Sequence, residues 1–294
     1  MRKDLRKSVG VVLLSMLMLV LNTHAIGQST VAKTPDNNVM WYNSPASHWL
    51  EALPLGNGTL GAMVYGGITR EKIQFNENSL VTGTADYVGF YQPFGNLYLD
   101  FDHKDAVDYK RSLSLDKAIH RISYVKDGVK FQREYFVSHP DKALVMMITA
   151  NRKGAVSMSV SLQDNRPSNV VYGKDEVHFA GSLAENKMEY MAKLKVVNKG
   201  GTKLVQDSSV KINNADTVLL YLGATTSFLR NNTRNVFGVL PVAALNKSLD
   251  LVATKPYAVV RKKHVDDFGG LLRSLMGPKK IVPPPPSAIL TATN

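Results

Sequence analysis

Apolar and polar residues alternate along much of the chain between residue 39 and about residue 228. Residues 156–162, Val-Ser-Met-Ser-Val-Ser-Leu, alternate strictly, which predicts a strand with one face in the core and one in water. Residues 143–149 are almost continuously apolar, which predicts a strand that is covered on both faces. Segments 120–125 and 129–137 flank an Asp-Gly pair, the strongest short signal for a β-hairpin.

Further strands are predicted at short spacing, with almost no helical period between them. A tight turn over Pro54–Gly58 introduces the first of them, because glycine and proline interrupt the pattern there. This succession predicts a mainly β fold, a large antiparallel sandwich over residues 39–228. The remaining predicted strands are 60–65, 71–78, 91–101, 111–116, 170–172, 176–179, 189–197, 203–205, 209–212 and 218–224.

The pattern changes after residue 228, where residues 229–277 read as a helical linker region. One helix is predicted from Pro241 to about Asp250, and a second begins near Pro256. The second carries an apolar stripe that needs a partner surface, and Gly269 and Gly270 interrupt it. The stripe comprises Tyr257, Val260, His264, Phe268, Leu271 and Leu275.

The first 25 residues have the pattern of a secretory signal peptide. Four basic residues precede an apolar run over 9–21, and Ala25 provides a small residue for cleavage. The run is shorter than the roughly 20 apolar residues that span a bilayer. We therefore expect export to the periplasm or the extracellular space, with no membrane segment after cleavage. Residues 26–38 are small and polar and predict an extended linker.

Composition excludes several classes of function. The chain has no cysteine, which excludes a disulfide framework, a thiol nucleophile and cysteine-ligated metal. Its formal charge is +12; the signal contributes four basic residues and Asp4, or +3, and so leaves +9. The basic residues are dispersed and form no Lys/Arg-rich block, so no nucleic-acid partner is expected.

Carboxylates are the groups that glycoside hydrolysis requires, and an inverting glycosidase holds two of them about 6.5 to 9.5 Å apart on opposite sides of the sugar. Asp100 and Asp102 stand two residues apart at a strand end, about 7 Å from each other. Both would approach a sugar from the same side, however. Glu51, Glu77 and Asp86 are predicted in nearby loops. No catalytic residue is therefore assigned.

Histidine and glycine patterns do not indicate a cofactor. His103, His120, His139, His178 and His264 are spread through the sequence without metal-ligand spacing, so neither a metal site nor a cofactor is expected. The glycines at 56–67 fit neither the dinucleotide fingerprint nor the P-loop.

Aromatic residues near the start of the fold are candidates for sugar stacking. Trp41, Tyr42, Trp49 and Tyr91 could form such a surface. A tryptophan just inside a domain boundary is more often part of the core, and that is the expectation for Trp41 and Trp49.

Several motifs in one order resemble the N-terminal domain of glycoside hydrolase family 95, the inverting α-L-fucosidases. They are Glu-Ala-Leu-Pro-Leu-Gly-Asn-Gly at 51–58, Gly-Ala-Met-Val-Tyr-Gly-Gly at 61–67, Ile-Gln-Phe-Asn-Glu at 73–77, Gly-Asn-Leu-Tyr-Leu-Asp-Phe at 95–101, Arg-Ile-Ser-Tyr at 121–124 and Arg-Glu-Tyr-Phe-Val-Ser-His-Pro at 133–140. The resemblance implies a β-supersandwich, a helical linker and then an (α/α)6 barrel that supplies the catalytic residues. It also implies a fucosylated glycan as the partner of the intact enzyme.

Beyond residue 277 the resemblance ends. Residues 278–294 contain four consecutive prolines and predict a disordered tail, so we expect the catalytic barrel to be missing from this chain. We therefore expect a truncated hydrolase domain that is not catalytic alone. Two alternatives stay open: a carbohydrate-binding module, and a structural half that associates with a separate barrel through the stripe of the second helix.

Overall fold

The computed structural model describes residues 38–84, 87, 89–229 and 236–276. The predicted signal peptide, nearly all of the linker at 26–38, Asp86 and the proline-rich tail lie outside this range. Within it, strands form two antiparallel sheets and two helices follow, so the prediction of a mainly β sandwich with a helical segment is confirmed.

A nine-stranded sheet runs in the spatial order β1-β6-β7-β8-β9-β16-β13-β12-β11. Its strands are β1 (Val39–Tyr42), β6 (Val107–Ser114), β7 (Ile119–Lys126), β8 (Val129–Ser138), β9 (Ala143–Ala150), β11 (Val171–Tyr172), β12 (Glu176–Ser182), β13 (Glu189–Lys199) and β16 (Thr217–Thr226).

A seven-stranded sheet faces it, in the order β14-β15-β10-β5-β4-β3-β2. Its strands are β2 (Leu53–Gly56), β3 (Leu60–Val64), β4 (Arg70–Glu77), β5 (Gly95–Asp100), β10 (Val156–Asp164), β14 (Thr202–Gln206) and β15 (Ser209–Ala215). Pro54, predicted in a turn, lies in the edge strand β2, where a missing N–H is tolerated. The turn itself falls at Asn57 and Gly58, and β5 begins at Gly95 rather than at Tyr91.

Local patterns account for the strands. Asp127 and Gly128 both have positive φ, as a two-residue hairpin turn between β7 and β8 requires. Buried and partly exposed residues alternate over 156–162 in β10. In β9, Ala143–Met146 are all buried, because the opposite sheet covers one face and helices cover the other. The hairpin and the alternation are confirmed as predicted; cover on both faces is confirmed for Ala143–Met146, whereas Met147 and Thr149 are partly exposed on the outer face.

Two helices pack on the outer face of the nine-stranded sheet: α1 (Val242–Thr254) and α2 (Tyr257–Met276). Leu249 and Val252 of α1 and Val260 of α2 are fully buried there. The ring of His264 stacks on Phe136 at 4.6 Å, and its Nε2 donates to the carbonyl of Lys117 at 2.9 Å. The first turns of the predicted stripe therefore pack within this chain. No helix among the described residues is both long and apolar enough to cross a membrane.

A fully buried ion pair joins the two sheets. Arg133 of β8 approaches Glu71 of β4 at 3.6 Å, and both side chains are inaccessible to solvent. Glu71 also accepts hydrogen bonds from the backbone N–H of Gly66 at 2.7 Å and from the hydroxyl of Tyr135 at 3.0 Å. Burial raises the pKa of Glu71, and Arg133 and these donors act in the opposite direction. This carboxyl is inaccessible to solvent and serves the fold.

The guanidinium of Arg133 also fixes the turn between β3 and β4. It donates to the carbonyls of Gly67 at 2.6 Å and Ile68 at 2.9 Å, and to the hydroxyl of Tyr124 at 2.6 Å. The ring of Phe101 covers it at 3.9 Å. One side chain of the nine-stranded sheet thus holds a turn of the other sheet in place.

Replacement of Arg133 should destabilise the chain strongly. Arg133→Met leaves Glu71 buried without its counter-charge, and we expect a loss of about 3 to 5 kcal/mol in the free energy of unfolding. Urea unfolding at neutral pH measures this loss. Arg121→Met is the matched control, because Arg121 is half exposed in its pair with Glu134 and should cost at most about 1 kcal/mol. Equal losses for the two variants would contradict the assigned role.

Buried histidines should make the fold sensitive to acid. Burial lowers the pKa of His103 to about 4 and that of His120 to about 3, so both are neutral in the native state. The unfolded chain takes up these protons below about pH 6.5, so the free energy of unfolding should fall as the pH drops from 6.5 towards 4.

His120→Phe should make this loss shallower. Neither ring nitrogen of His120 has a hydrogen-bond partner among the described residues, so the substitution removes a titrating group and no hydrogen bond. Urea unfolding at pH 7.5 and at pH 5 measures the difference, with the exposed His48→Phe as control. An unchanged pH dependence in His120→Phe would contradict the assignment.

Candidate functional site

Three turns, at the ends of the family-like motifs 51–58, 73–77 and 133–140, meet at one end of the sandwich, here called the motif end: residues 57–59, 77–79 and 138–142. Asn57 links the first to the third, because its side-chain amide donates to the carbonyl of Ser138 at 3.1 Å. Its carbonyl oxygen accepts from the backbone N–H groups of Thr59 and Leu60, which closes the turn between β2 and β3.

The second turn is held by a buried polar chain. Glu77 accepts from the backbone N–H of Ser79 at 2.9 Å and from the Ser79 hydroxyl. The Ser79 hydroxyl also lies 2.6 Å from that of Thr226, which ends β16. These three residues are at most 6% exposed. The chain therefore connects β4 of one sheet to β16 of the other.

A cleft of about 340 Å³ opens between these turns, with His139 and Lys142 on its rim. His139 Nδ1 lies 3.2 Å from the carboxylate of Asp267 in α2. Next to it, buried Asp141 accepts from Ser138 at 2.9 Å and pairs with Lys255, between the two helices, at 2.7 Å. The motif end is therefore also the end to which the helical segment is anchored. Its surface offers hydroxyl, amide, imidazole and ammonium groups for binding.

Two of the candidate carboxylates, Glu77 and Asp100, lie at opposite ends of the sandwich. Asp100 is paired in register with Arg70 and bridges it at 3.4 Å, at the opposite end of the sandwich from Glu77. Seven residues of β4 separate Arg70 from Glu77, which corresponds to about 23 Å. This exceeds the separation of about 6.5 to 9.5 Å in inverting enzymes. Asp102 is exposed beyond the end of β5.

Glu51 is an acceptor on the surface. Hydrogen bonds from the backbone N–H and the hydroxyl of Ser47 lower its pKa, with a smaller contribution from His48. A carboxyl with a lowered pKa is a poor general acid. Asp86 lies outside the described residues.

The two tryptophans are not core residues, so that prediction is wrong. Trp41 is 60% exposed on the edge strand β1, and Trp49 is 50% exposed in a short 3-10 turn at Trp49–Glu51. Tyr42 lies beneath the guanidinium of Arg111 at 4.4 Å, and Tyr91 is 72% exposed in the loop between β4 and β5. Trp41 and Tyr42 are consecutive on β1 and point to opposite faces.

Histidines are not gathered into a metal site. Within the described ranges no three His, Cys, Asp or Glu side chains are grouped so that they could hold an ion. His103 Nδ1 is 2.7 Å from the Tyr124 hydroxyl, His120 stacks on Tyr135, and His178 lies 4.0 Å from Glu176.

Sequence reasoning missed the polar groups of the interior and of the outer sheet face. Arg111 and Arg133 occupy inward-facing positions of strands. A charged residue at a position where the alternation predicts an apolar one could have indicated a buried polar network. Two pairs that anchor the helices, Glu134 with Arg261 at 2.6 Å and Lys195 with Asp250 at 2.6 Å, have no local sequence signature.

Comparison with known proteins identifies the sandwich. The family described as glycosyl hydrolase family 65, N-terminal domain, matches residues 40–88 and 80–231. Alpha-L-fucosidase 2 of Arabidopsis thaliana is 24% identical over 293 residues, covering 77% of this chain and 35% of its own length. "Probable alpha-fucosidase A" of Aspergillus niger is 25% identical over 289 residues, covering 79% and 36%. The chain thus spans about a third of the length of these relatives.

A solved structure named "Putative kojibiose phosphorylase from human microbiome" aligns with a TM-score of 0.48 and 11% identity, covering 79% of this chain and 37% of its own. The family match extends over most of the two-sheet sandwich and includes all three turns of the motif end. This chain belongs to the family of glycosyl hydrolase family 65 N-terminal domains.

Proposed function

We propose that this chain is the N-terminal domain of an exported glycoside hydrolase of α-L-fucosidase type, and that it does not hydrolyse glycosides by itself. The intact enzyme would act on terminal α-L-fucosyl linkages. Two relatives named as fucosidases support the substrate class. The basic and then apolar residues at 2–21 support export.

The observation that carries this proposal is that three turns, each at the end of a family-like motif, meet at one end of the sandwich. The motifs themselves run along the strands of both sheets, and these three turns at their ends surround one cleft. The helical segment is anchored at the same end through Asp141 and Asp267. We propose that the motif end is the surface that docks on the catalytic domain, which supplies both the acid and the base.

Inactivity follows from the positions of the carboxylates. The purified chain should release no fucose from an aryl α-L-fucoside above the buffer rate, because Asp100 and Asp102 would approach a sugar from the same side and Glu77 lies about 23 Å from Asp100 along the sheet. A chromogenic assay measures this, with Asp100→Asn as the matched variant. Release of fucose that is lost in Asp100→Asn would contradict the proposal.

Assembly in trans tests the docking surface. Co-expression with the part of Arabidopsis alpha-L-fucosidase 2 outside its matched region should yield a complex on size exclusion. The double variant His139→Ala, Lys142→Glu should weaken the complex roughly tenfold, because it removes polar contacts at the rim of the cleft.

The control variant of equal charge change is Lys199→Glu, on an exposed hairpin. The positive control is the region of Arabidopsis alpha-L-fucosidase 2 that matches this chain, co-expressed with the remainder of that protein; its assembly shows that the assay detects a complex. If that region assembles and this chain does not, or if Lys199→Glu weakens the complex as much as the double variant, the motif end is not the docking surface.

A further inference from the structure

The outer face of the nine-stranded sheet is divided into rows by the strand register. The first row is apolar and lies beneath the helices: it contains Phe136, Val145 and Tyr221. Two residues further along the strands, the row becomes largely polar and lies at the border of the region that the helices cover. The residues of one row come from different strands, so the change cannot be seen in the sequence of any single strand.

The second row crosses five strands in register: Trp41, Ser112, Arg121, Glu134 and Met147. The third row is polar throughout and consists of Lys110, Ser123, Gln132 and Thr149.

A groove of about 450 Å³ lies over these two rows. Its floor presents small hydroxyl and amide side chains, which can both donate and accept hydrogen bonds, as sugar hydroxyls require. Lining side chains include Lys110, Ser112, Ser123, Gln132 and Thr149.

Trp41, on the edge strand β1, is the register partner of Ser112 and so flanks this groove. Its indole is 60% exposed, and the ammonium of Lys110 lies 5.3 Å from the ring centroid. The C–H face of a pyranose ring is apolar and packs on an aromatic ring, whereas its hydroxyls point sideways to polar partners. An exposed indole beside a polar floor therefore fits a sugar ring better than it fits an apolar ligand.

The charged side chains in and beside the groove determine which charge on a sugar it favours. Glu134 is the acidic group of the two rows, and it is bound by Arg121 and by Arg261 of α2, each at 2.6 Å. The hydroxyl of Tyr257 also donates to Glu134. Lys110, Arg121 and Arg261 against Glu134 give a formal charge of +2. This excess of positive charge favours a ligand that carries anionic groups.

We propose that this groove is a binding site for an acidic oligosaccharide, a glycan chain whose carboxylate or sulfate groups meet Lys110 and Arg121 while one ring packs on Trp41. The role of this site differs from that of the motif end, and the glycan that it binds need not contain the bond that the intact enzyme hydrolyses. It would hold the enzyme on a charged polysaccharide. The inference rests on the proposed function only for the class of polymer that the protein encounters.

Tryptophan fluorescence provides a direct test, because the chain has two tryptophans. In Trp49→Ala, fluorescence reports on Trp41 alone. When this variant is titrated with tetragalacturonate, the tryptophan emission should change and then reach a plateau as the site saturates. The fully methyl-esterified tetrasaccharide, which has the same rings without charge, should bind at least about tenfold more weakly. A heparin tetrasaccharide in a parallel titration distinguishes sulfate from carboxylate recognition.

Two substitutions locate the site. In calorimetry, Trp41→Ala and Lys110→Gln should each weaken binding about tenfold, whereas the matched Trp49→Ala and Lys187→Gln should not. All four side chains lie at the surface, and urea unfolding confirms that each variant is folded.

Several outcomes would overturn the proposal. If the methyl ester binds as tightly as tetragalacturonate, the site recognises a neutral glycan. If single-stranded oligothymidylate binds as tightly, the groove attracts polyanions in general and is not specific for a glycan. Absence of binding to both acidic tetrasaccharides at about 5 mM would exclude the site. None of these results bears on fucoside hydrolysis or on assembly at the motif end, so the two proposals fail separately.

Discussion

The ion pair between Arg133 and Glu71 is the interaction on which the sandwich depends. A charge in the interior is tolerated only when hydrogen bonds and an opposite charge replace the water that it loses, and this pair uses backbone groups of one sheet and side chains of the other. The β3–β4 turn is thereby fixed against β8. Because β3 and β4 lead from that turn to the motif end, the pair also sets where Asn57 and Glu77 lie relative to β8 and β16.

The nine-stranded sheet serves two purposes through its two faces. Its inner face closes the core, and its outer face is divided between helix contacts and an open polar region. The division falls within strands: Phe136 of β8 lies beneath α2, and Gln132 of the same strand lines the groove. This arrangement lets one layer position the helical segment and still offer a surface to solvent. Glu134 stands at the border and connects the two regions through Arg121 and Arg261.

Local patterns predicted most of the strands, because alternation and hairpin chemistry act within a few residues. The Asp-Gly hairpin at 127–128 and the strand at 143–149, covered on both faces over Ala143–Met146, are examples. Trp41 and Trp49 were wrongly assigned to the core, since an edge strand and a short 3-10 turn hold them at the surface. The groove and the inter-sheet ion pair could not be predicted from sequence, because both depend on the register between strands that are far apart in the chain. The motif end was predicted only as separate turns, whose meeting around one cleft depends on the fold.

The central claim is that the motif end is the face that meets a catalytic domain. Amide hydrogen exchange, measured for this chain alone and in complex with the catalytic part of a fucosidase relative, tests it most directly. The account predicts new protection at residues 57–59, 77–79 and 138–142, with unchanged exchange in the hairpin at 126–129 at the opposite end. Protection confined to that hairpin, or to the groove strands β6 and β7, would contradict it.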